Sequence, residues 1–236
     1  MDDRQQKTQA LGRYFAEADA LDAPLDARLG RYAEQSRLIL PDVLAAYDRL
    51  VAHLFAAYAG RAGTVPQVGD ELPEFVLADR DGNLVSLGEL AGAGPVVVSI
   101  NRGHWCPYCR LELRALARAV PQLQRRGAQV VSIVPESGAL ASKLVNEHAL
   151  PFKVLSDIDL GYALSIGLLV WIGEEMIGVY RQLGIDLPSF QGNDGWFLPI
   201  PATFVVGSDR RIRASLVDPD FRRRMTIEQI EAALPA

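Results

Sequence analysis

The only two cysteines of the chain stand one helical turn apart in the run Trp105-Cys106-Pro107-Tyr108-Cys109. Two thiols at this spacing can open and close a disulfide, provided that one element holds both on one face. The apolar run Pro95-Val96-Val97-Val98-Ser99-Ile100 before them reads as a strand. After it, Cys106, Cys109, Leu113, Leu116 and Val120 recur at alternating spacings of three and four, the stripe of an amphipathic helix. Cys106 then falls in the first helical turn, where unpaired backbone N–H groups and the positive end of the helix dipole favour a thiolate. Reversible thiol–disulfide chemistry is the reading that uses all of these features.

Other uses of the pair explain less. Two cysteines can fill a core as small apolar residues, but core packing does not require this spacing. A structural zinc site needs about four ligands. No second cysteine pair exists, and the three histidines, His53, His104 and His148, are scattered along the chain, so no metal or cofactor is expected.

The composition sets outer limits. With 236 residues, 49% of them hydrophobic, the chain can bury a core without disulfide staples. A formal net charge of −5 and the lack of a basic arm argue against nucleic acid as a partner. The opening MDDRQQKTQA has no apolar centre for a signal peptide, and the longest apolar stretch, Ala163 to Gly173, is too short to span a bilayer. A soluble cytoplasmic protein with no membrane partner is expected. In a reducing compartment thiols are mostly catalytic, redox-sensing or metal-bound.

The elements that must position the pair can be read in outline. Residues 1–62 are expected to form a helical extension, and 63–236 the redox domain. A first helix ends near Ala20, Asp22 and Pro24 punctuate a second start, and Pro41 and Asp42 open a third helix that Gly60 can close. That third helix carries an apolar stripe: Val43, Leu44, Tyr47, Leu50, Val51, Leu54, Phe55 and Tyr58. The stripe either packs on the main domain or forms a homodimer surface. Gly60 to Pro73 reads as a linker, and residues 74–77 and 84–87 as a hairpin around Asp81-Gly82. Pro121 is expected to break or kink the redox helix. A strand from Gln129 to Pro135, a helix from Ser137 to His148 and a strand from Phe152 to Leu155 follow. Residues 160–182 read as helical in parts, with a break near Gly173, and 184–198 as a loop carrying Trp196 and Phe197. Strands over 202–207 and 211–217 and a helix over 226–234, N-capped by Thr226, complete an α/β arrangement.

The order of these elements, with WCPYC after a central strand and Pro201 directly before a late one, resembles the thioredoxin fold. The segment Val68-Gly69-Asp70-Glu71-Leu72-Pro73-Glu74-Phe75, with Asp81-Gly82 and Val85-Ser86-Leu87, resembles the opening of peroxiredoxin-like proteins of the alkyl hydroperoxide reductase/thiol-specific antioxidant group. The resemblance covers about residues 65–235. It implies a mixed sheet flanked by helices, and it implies roles. By likeness to thioredoxins, Cys106 is the attacking thiolate and Cys109 the resolving thiol. Pro201 matches the cis-proline that faces the redox pair and leaves the preceding backbone free for an extended substrate. The Pro107-Tyr108 pair resembles that of glutaredoxins, which makes glutathione, beside a thioredoxin system, an expected electron donor.

The chain departs from the peroxiredoxin pattern at two positions. Cys109 matches the peroxidatic cysteine, so Cys106 replaces the Thr or Ser three residues before it, and Pro201 stands where peroxiredoxins carry an Arg. Both changes move the site toward thioredoxin-like chemistry. Trp105 is expected to flank the nucleophile as an apolar platform, and Pro107, Tyr108, Pro201 and Trp196 are expected to contact the substrate with it. Ile100 occupies the place of the buried Asp of thioredoxins, which leaves Glu112 as the candidate to accept the Cys109 proton; a solvated helical Glu is the alternative. Arg102 and Arg110 are candidates to lower the Cys106 pKa. The leading expectation is a dithiol–disulfide oxidoreductase. A thiol peroxidase acting on hydroperoxides is the second. The third is a non-catalytic redox sensor, whose disulfide alters the loop around Trp196 or the N-terminal helices.

Overall fold

The computed structural model describes residues 3–60 and 62–235. Three helices come first: α1 (Asp3–Ala20), α2 (Leu25–Ile39) and α3 (Pro41–Ala59). Pro24 caps α2, and Pro41 takes the first turn of α3, where its missing N–H costs nothing. The expected linker contains a short 3₁₀ turn over Ala62–Thr64; Arg61 within it lies outside the described residues.

Next come β1 (Val76–Asp79), β2 (Leu84–Ser86), α4 (Leu87–Gly92), β3 (Val96–Ile100), α5 (Pro107–Arg125), β4 (Gln129–Val134), α6 (Gly138–His148) and β5 (Lys153–Ser156). The last third holds α7 (Gly161–Ser165), β6 (Leu169–Trp171), α8 (Gly173–Leu183), α9 (Leu187–Gln191), β7 (Phe197–Pro199), β8 (Ala202–Val206), β9 (Ile212–Val217) and α10 (Ile227–Ala232). Seven strands form one sheet in the order β2-β1-β5-β4-β3-β8-β9, while β6 and β7 pair separately. β3 runs parallel to β4 and antiparallel to β8, so its C-terminal end opens in mid-sheet. This is the mixed sheet flanked by helices that the sequence implies.

The pleat of β3 divides the core. Val96, Val98 and Ile100 join a cluster on one face with Leu155, Phe204 and Ile212. Val97 faces the other way, toward Leu113, Leu116 and Leu123 of α5. The N-terminal helices bring a third cluster, in which Leu29, Tyr32, Leu50 and Leu54 pack with Cys106, Cys109, Tyr108 and Tyr180. The α3 stripe is thus buried within its own chain through Leu44, Leu50, Val51 and Leu54, and that face is not a free dimer surface; Phe55, assigned to the stripe, is 47% exposed. Polar clips reinforce the packing. Asp19 at the end of α1 accepts from Arg114 Nε at 2.6 Å and Arg118 Nη2 at 2.9 Å on α5, and also from the buried Arg28 of α2.

Three expectations need correction. α5 continues through Pro121 to Arg125. Pro121 is exposed and sits in the last turns, while Leu116, Val120 and Leu123 around it are buried, so packing outweighs the one backbone bond lost. The break expected near Gly173 is a strand, β6, and the loop expected over 184–198 contains α9 and β7. Leu187 and Leu198 are both buried there, which supplies the apolar contact that the Gly- and Asp-rich sequence conceals.

Candidate active site

The chain leaves β3 through Asn101 and enters α5 at Pro107, and this short connection builds the site. Asn101 keeps the sheet in register by donating its backbone N–H to Ile133 O at 2.9 Å. Gly103 follows with φ +127, a conformation that glycine tolerates and L side chains rarely adopt. Glu136, 1% exposed just beyond β4, accepts the His104 backbone N–H at 2.8 Å and bonds the His104 ring Nδ1 at 2.7 Å. His104, given no role from sequence, ties this connection down together with Glu136.

Cys106 is the N-cap of α5, with Pro107 in the first turn. Both cysteines are free thiols, Cys106 1% exposed and Cys109 fully buried. The Arg102 backbone N–H and the Arg224 Nη2 each lie 3.4 Å from Cys109 Sγ as donors. The Arg102 guanidinium is also buried; it donates to the Tyr180 hydroxyl and lies 3.9 Å from the Phe221 ring centre and 5.0 Å from that of Trp105. Burial alone would push the Cys106 thiol up. Hydrogen bonding from Cys109 and the charges of Arg102 and Arg224 outweigh it and pull Cys106 down to about 6. Cys109 moves the opposite way, driven up first by burial and then by its neighbour Cys106. The two thiols are thus displaced in opposite directions.

Glu112 is buried, at 2% exposure, rather than solvated. Its Oε1 accepts from Ser99 Oγ of β3 and Thr203 Oγ1 of β8, each at 3.0 Å, and its Oε2 accepts from Arg224 Nε at 2.6 Å. Both oxygens are engaged, and the side chain that donates to the Cys109 sulfur is that of Arg224, beside the Arg102 backbone N–H. The expectation that Glu112 takes the Cys109 proton directly therefore gives way to an indirect arrangement, carboxylate to guanidinium to sulfur. Sequence reasoning missed Arg224. It belongs to the run Arg222-Arg223-Arg224, which reads as a surface patch; only its contacts with Glu112 and Cys109 separate it from its neighbours.

A cavity of about 430 Å³ opens onto Cys106. Trp105, Pro107, Tyr108 and Arg110 line it from the redox domain, and Tyr32 and Tyr47 from the N-terminal helices. Trp105 meets Tyr180 edge-on at 5.1 Å, and Tyr108 meets Tyr32 likewise at 5.5 Å. Two expected substrate contacts lie elsewhere. Trp196 is half-buried under the Arg181 guanidinium, 5.1 Å away, and its carbonyl accepts from the Ile172 N–H at 3.2 Å. Pro201 borders a narrow cleft with Arg102 and Phe221, and its peptide bond is trans. The preceding Ile200 N–H already donates to Leu168 O at 2.8 Å, so that backbone is not free for an extended substrate.

Known proteins share this architecture. The model of the AhpC/TSA family matches residues 68–215. The thiol-disulfide oxidoreductase ResA of Bacillus thuringiensis (strain Al Hakam) is 25% identical over 170 residues, which cover 71% of this chain and 77% of that protein. The putative chloroplastic peroxiredoxin Q of Oryza sativa subsp. indica is 33% identical over 89 residues, 38% of this chain and 41% of that protein. Among solved structures, the peroxidoxin BcpB from Mycobacterium tuberculosis aligns with a TM-score of 0.55 at 20% identity, covering 71% of this chain and 96% of that one. The thiol peroxidase from Chromobacterium violaceum aligns at 0.54 and 18% identity, covering 71% and 86%. Both structural likenesses are of fold. The family match spans more than half of the chain and contains both cysteines and the strands that frame them, and the protein belongs to the AhpC/TSA family of thiol-redox enzymes, on a peroxiredoxin-like thioredoxin fold.

Proposed function

We propose that the protein is a dithiol–disulfide oxidoreductase in which Cys106 attacks and Cys109 resolves. The observation that carries this reading is the placement of the two thiols: Cys106 at the N-cap of α5 on the cavity, and Cys109 one turn behind it, buried and accepting from the Arg102 N–H and the Arg224 guanidinium. The Cys106 thiolate attacks one sulfur of a substrate disulfide, forms a mixed disulfide and releases the first thiolate. Its negative charge is then gone, so the Arg102 N–H and Arg224 guanidinium at Cys109 favour ionisation of the second sulfur. Cys109 gives its proton to the released thiolate and attacks Cys106. The Cys106–Cys109 disulfide forms, the second substrate sulfur leaves as a thiolate that takes its proton from solvent, and two electrons have passed to the substrate. A dithiol of thioredoxin type, or glutathione, restores the enzyme. A reducing compartment such as the cytoplasm would hold the resting pair as the dithiol; among the described residues no helix is long and apolar enough to cross a membrane.

The redox domain expected over 63–236 supplies this chemistry, and α1, α2 and α3 supply the wall over it. Trp105, Pro107 and Tyr108 are assigned to substrate contact by their place on the cavity. Glu112 is a positioning residue acting through Arg224. Cys106→Ser should abolish disulfide reduction, and Cys109→Ser should accumulate a mixed disulfide visible by mass. Wild-type turnover by Cys106→Ser would refute the reading.

One observation favours a thiol peroxidase as second reading. The sulfur at the position that matches the peroxidatic cysteine, Cys109, accepts from both a backbone N–H and a guanidinium. Stopped-flow mixing with hydrogen peroxide tests it. A rate no faster than that of a free thiol removes it.

A further inference from the structure

The N-terminal helices do more than pack on the redox domain: they close over its nucleophile. Thr8, Leu11 and Gly12 of α1, Tyr32 of α2, and Leu44 and Tyr47 of α3 line the cavity at Cys106. With the thiol only 1% exposed, an extended polypeptide has no surface from which to present a disulfide to it. A space of about 430 Å³ walled by aromatic rings suits a flat apolar body instead.

Charge narrows the choice. Arg110 lines the same cavity, half-buried, with its guanidinium 4.5 Å from the Phe15 ring centre. Its Nε is buried without an acceptor, and among the described residues no carboxylate pairs with it. The neighbouring arginines of α5, Arg114 and Arg118, both share Asp19. The Arg110 guanidinium thus borders the cavity with its charge unpaired by any carboxylate among the described residues, and an acidic ligand group there would meet that charge.

We infer that this cavity admits a low-molecular-weight disulfide with a flat apolar body and an acidic group, the acid meeting Arg110 while the disulfide meets Cys106. This deepens, and rests on, the oxidoreductase reading. The reaction is the one already balanced: the enzyme dithiol becomes the Cys106–Cys109 disulfide, the substrate becomes two thiols, and an external dithiol resets the enzyme.

Full-length reduced protein is mixed with dithiobis(nitrobenzoate), with neutral dithiodipyridine, or with insulin. Rates are normalised to those of N-acetylcysteine with each reagent. The expected result is saturable oxidation by the aromatic acid, insulin slower by at least about 100-fold, and an acid-to-neutral ratio that falls about tenfold in Arg110→Gln. Insulin matching the aromatic acid, or a ratio unmoved in Arg110→Gln, overturns the inference while leaving the oxidoreductase reading intact. If none of the three yields the Cys106–Cys109 disulfide by mass, the oxidoreductase reading falls with it. A measurement on the wild type alone guards against misfolding of the variant. 2-Naphthoate should slow carbamidomethylation of Cys106 and 2-naphthalenemethanol should not; equal effects of the two count against the inference.

Discussion

Arg224 Nη2 lies 3.4 Å from Cys109 Sγ while its Nε lies 2.6 Å from Glu112 Oε2. One guanidinium thus joins Cys109 to a carboxylate held by hydroxyls of β3 and β8. Chemistry and core share a single buried ion pair. Such a pair adds little net stability, but losing one partner costs about 3–5 kcal/mol because a buried charge is left unpaired.

Glu112→Gln should therefore destabilise the fold by about 3 kcal/mol, read as a lower urea midpoint at unchanged slope. Arg224→Gln should in addition move the ionisation of Cys106 upward, because the Arg224 charge is among the causes that hold it down. The readout is the pH midpoint of Cys106 alkylation. A midpoint unmoved in Arg224→Gln would show that the guanidinium serves stability alone.

The wild-type pH dependence follows from the same ionisation. The thiolate is the nucleophile, so attack should be slow below the Cys106 value, rise through about 6 and level off above it. Iodoacetamide labelling from pH 4 to 9, resolved by peptide mass, measures this directly. A midpoint near the ordinary thiol value of about 8.5 would mean that burial outweighs the two arginines.

How much of this was legible in the sequence depends on distance along the chain. The strand–WCPYC–helix unit was readable because its signals are local: an apolar run, a proline inside the first turn and a stripe of alternating threes and fours. The hairpin over β1 and β2 and the N-cap at Thr226 were readable for the same reason. β6, α9 and β7 were not, since each is only three to five residues long and is fixed by tertiary contacts such as Leu187 and Leu198 rather than by periodicity. At the site, Glu112 stood out as a carboxylate near the thiols, but its partner Arg224 is 112 residues away. The choice between a stripe that packs inward and one that dimerises could not be made either, because amphipathicity does not name the partner.

Asp19 should act as the latch of the helical roof. Its side chain is 10% exposed and receives guanidinium groups from Arg28, Arg114 and Arg118. Asp19→Asn should lower stability by about 3 kcal/mol and speed carbamidomethylation of Cys106 by loosening α1 and α2. Burial raises the Asp19 pKa, but Arg118 and Arg114 outweigh it, and the folded-state value lies below the usual carboxylate range. The stabilisation is therefore complete above the unfolded value of ~4 and is lost as pH falls through the lower folded value. Asp19→Asn should lack that part of the acid-induced loss, and unfolding followed from pH 5 to 2 compares the two proteins.

Gly103 should tolerate no side chain. Its φ of +127 is strained for any L residue, at a cost of about 1–3 kcal/mol. An added Cβ would also come 2.4 Å from Glu136 Oε1 and 2.9 Å from Trp105 Nε1, so the carboxylate or the indole must shift. Cys106 depends on this backbone, because its N–H donates to Gly103 O at 3.2 Å. Gly103→Ala should thus lose at least about 2 kcal/mol and also slow attack by Cys106, with its thiol displaced from the N-cap of α5. Glu136→Gln separates the two effects. It removes the charge that meets His104 but adds no side chain at position 103. If it slows attack as much as Gly103→Ala does, the carboxylate sets the position of Cys106. If only Gly103→Ala is slow, the backbone sets it, and Glu136 serves to hold His104.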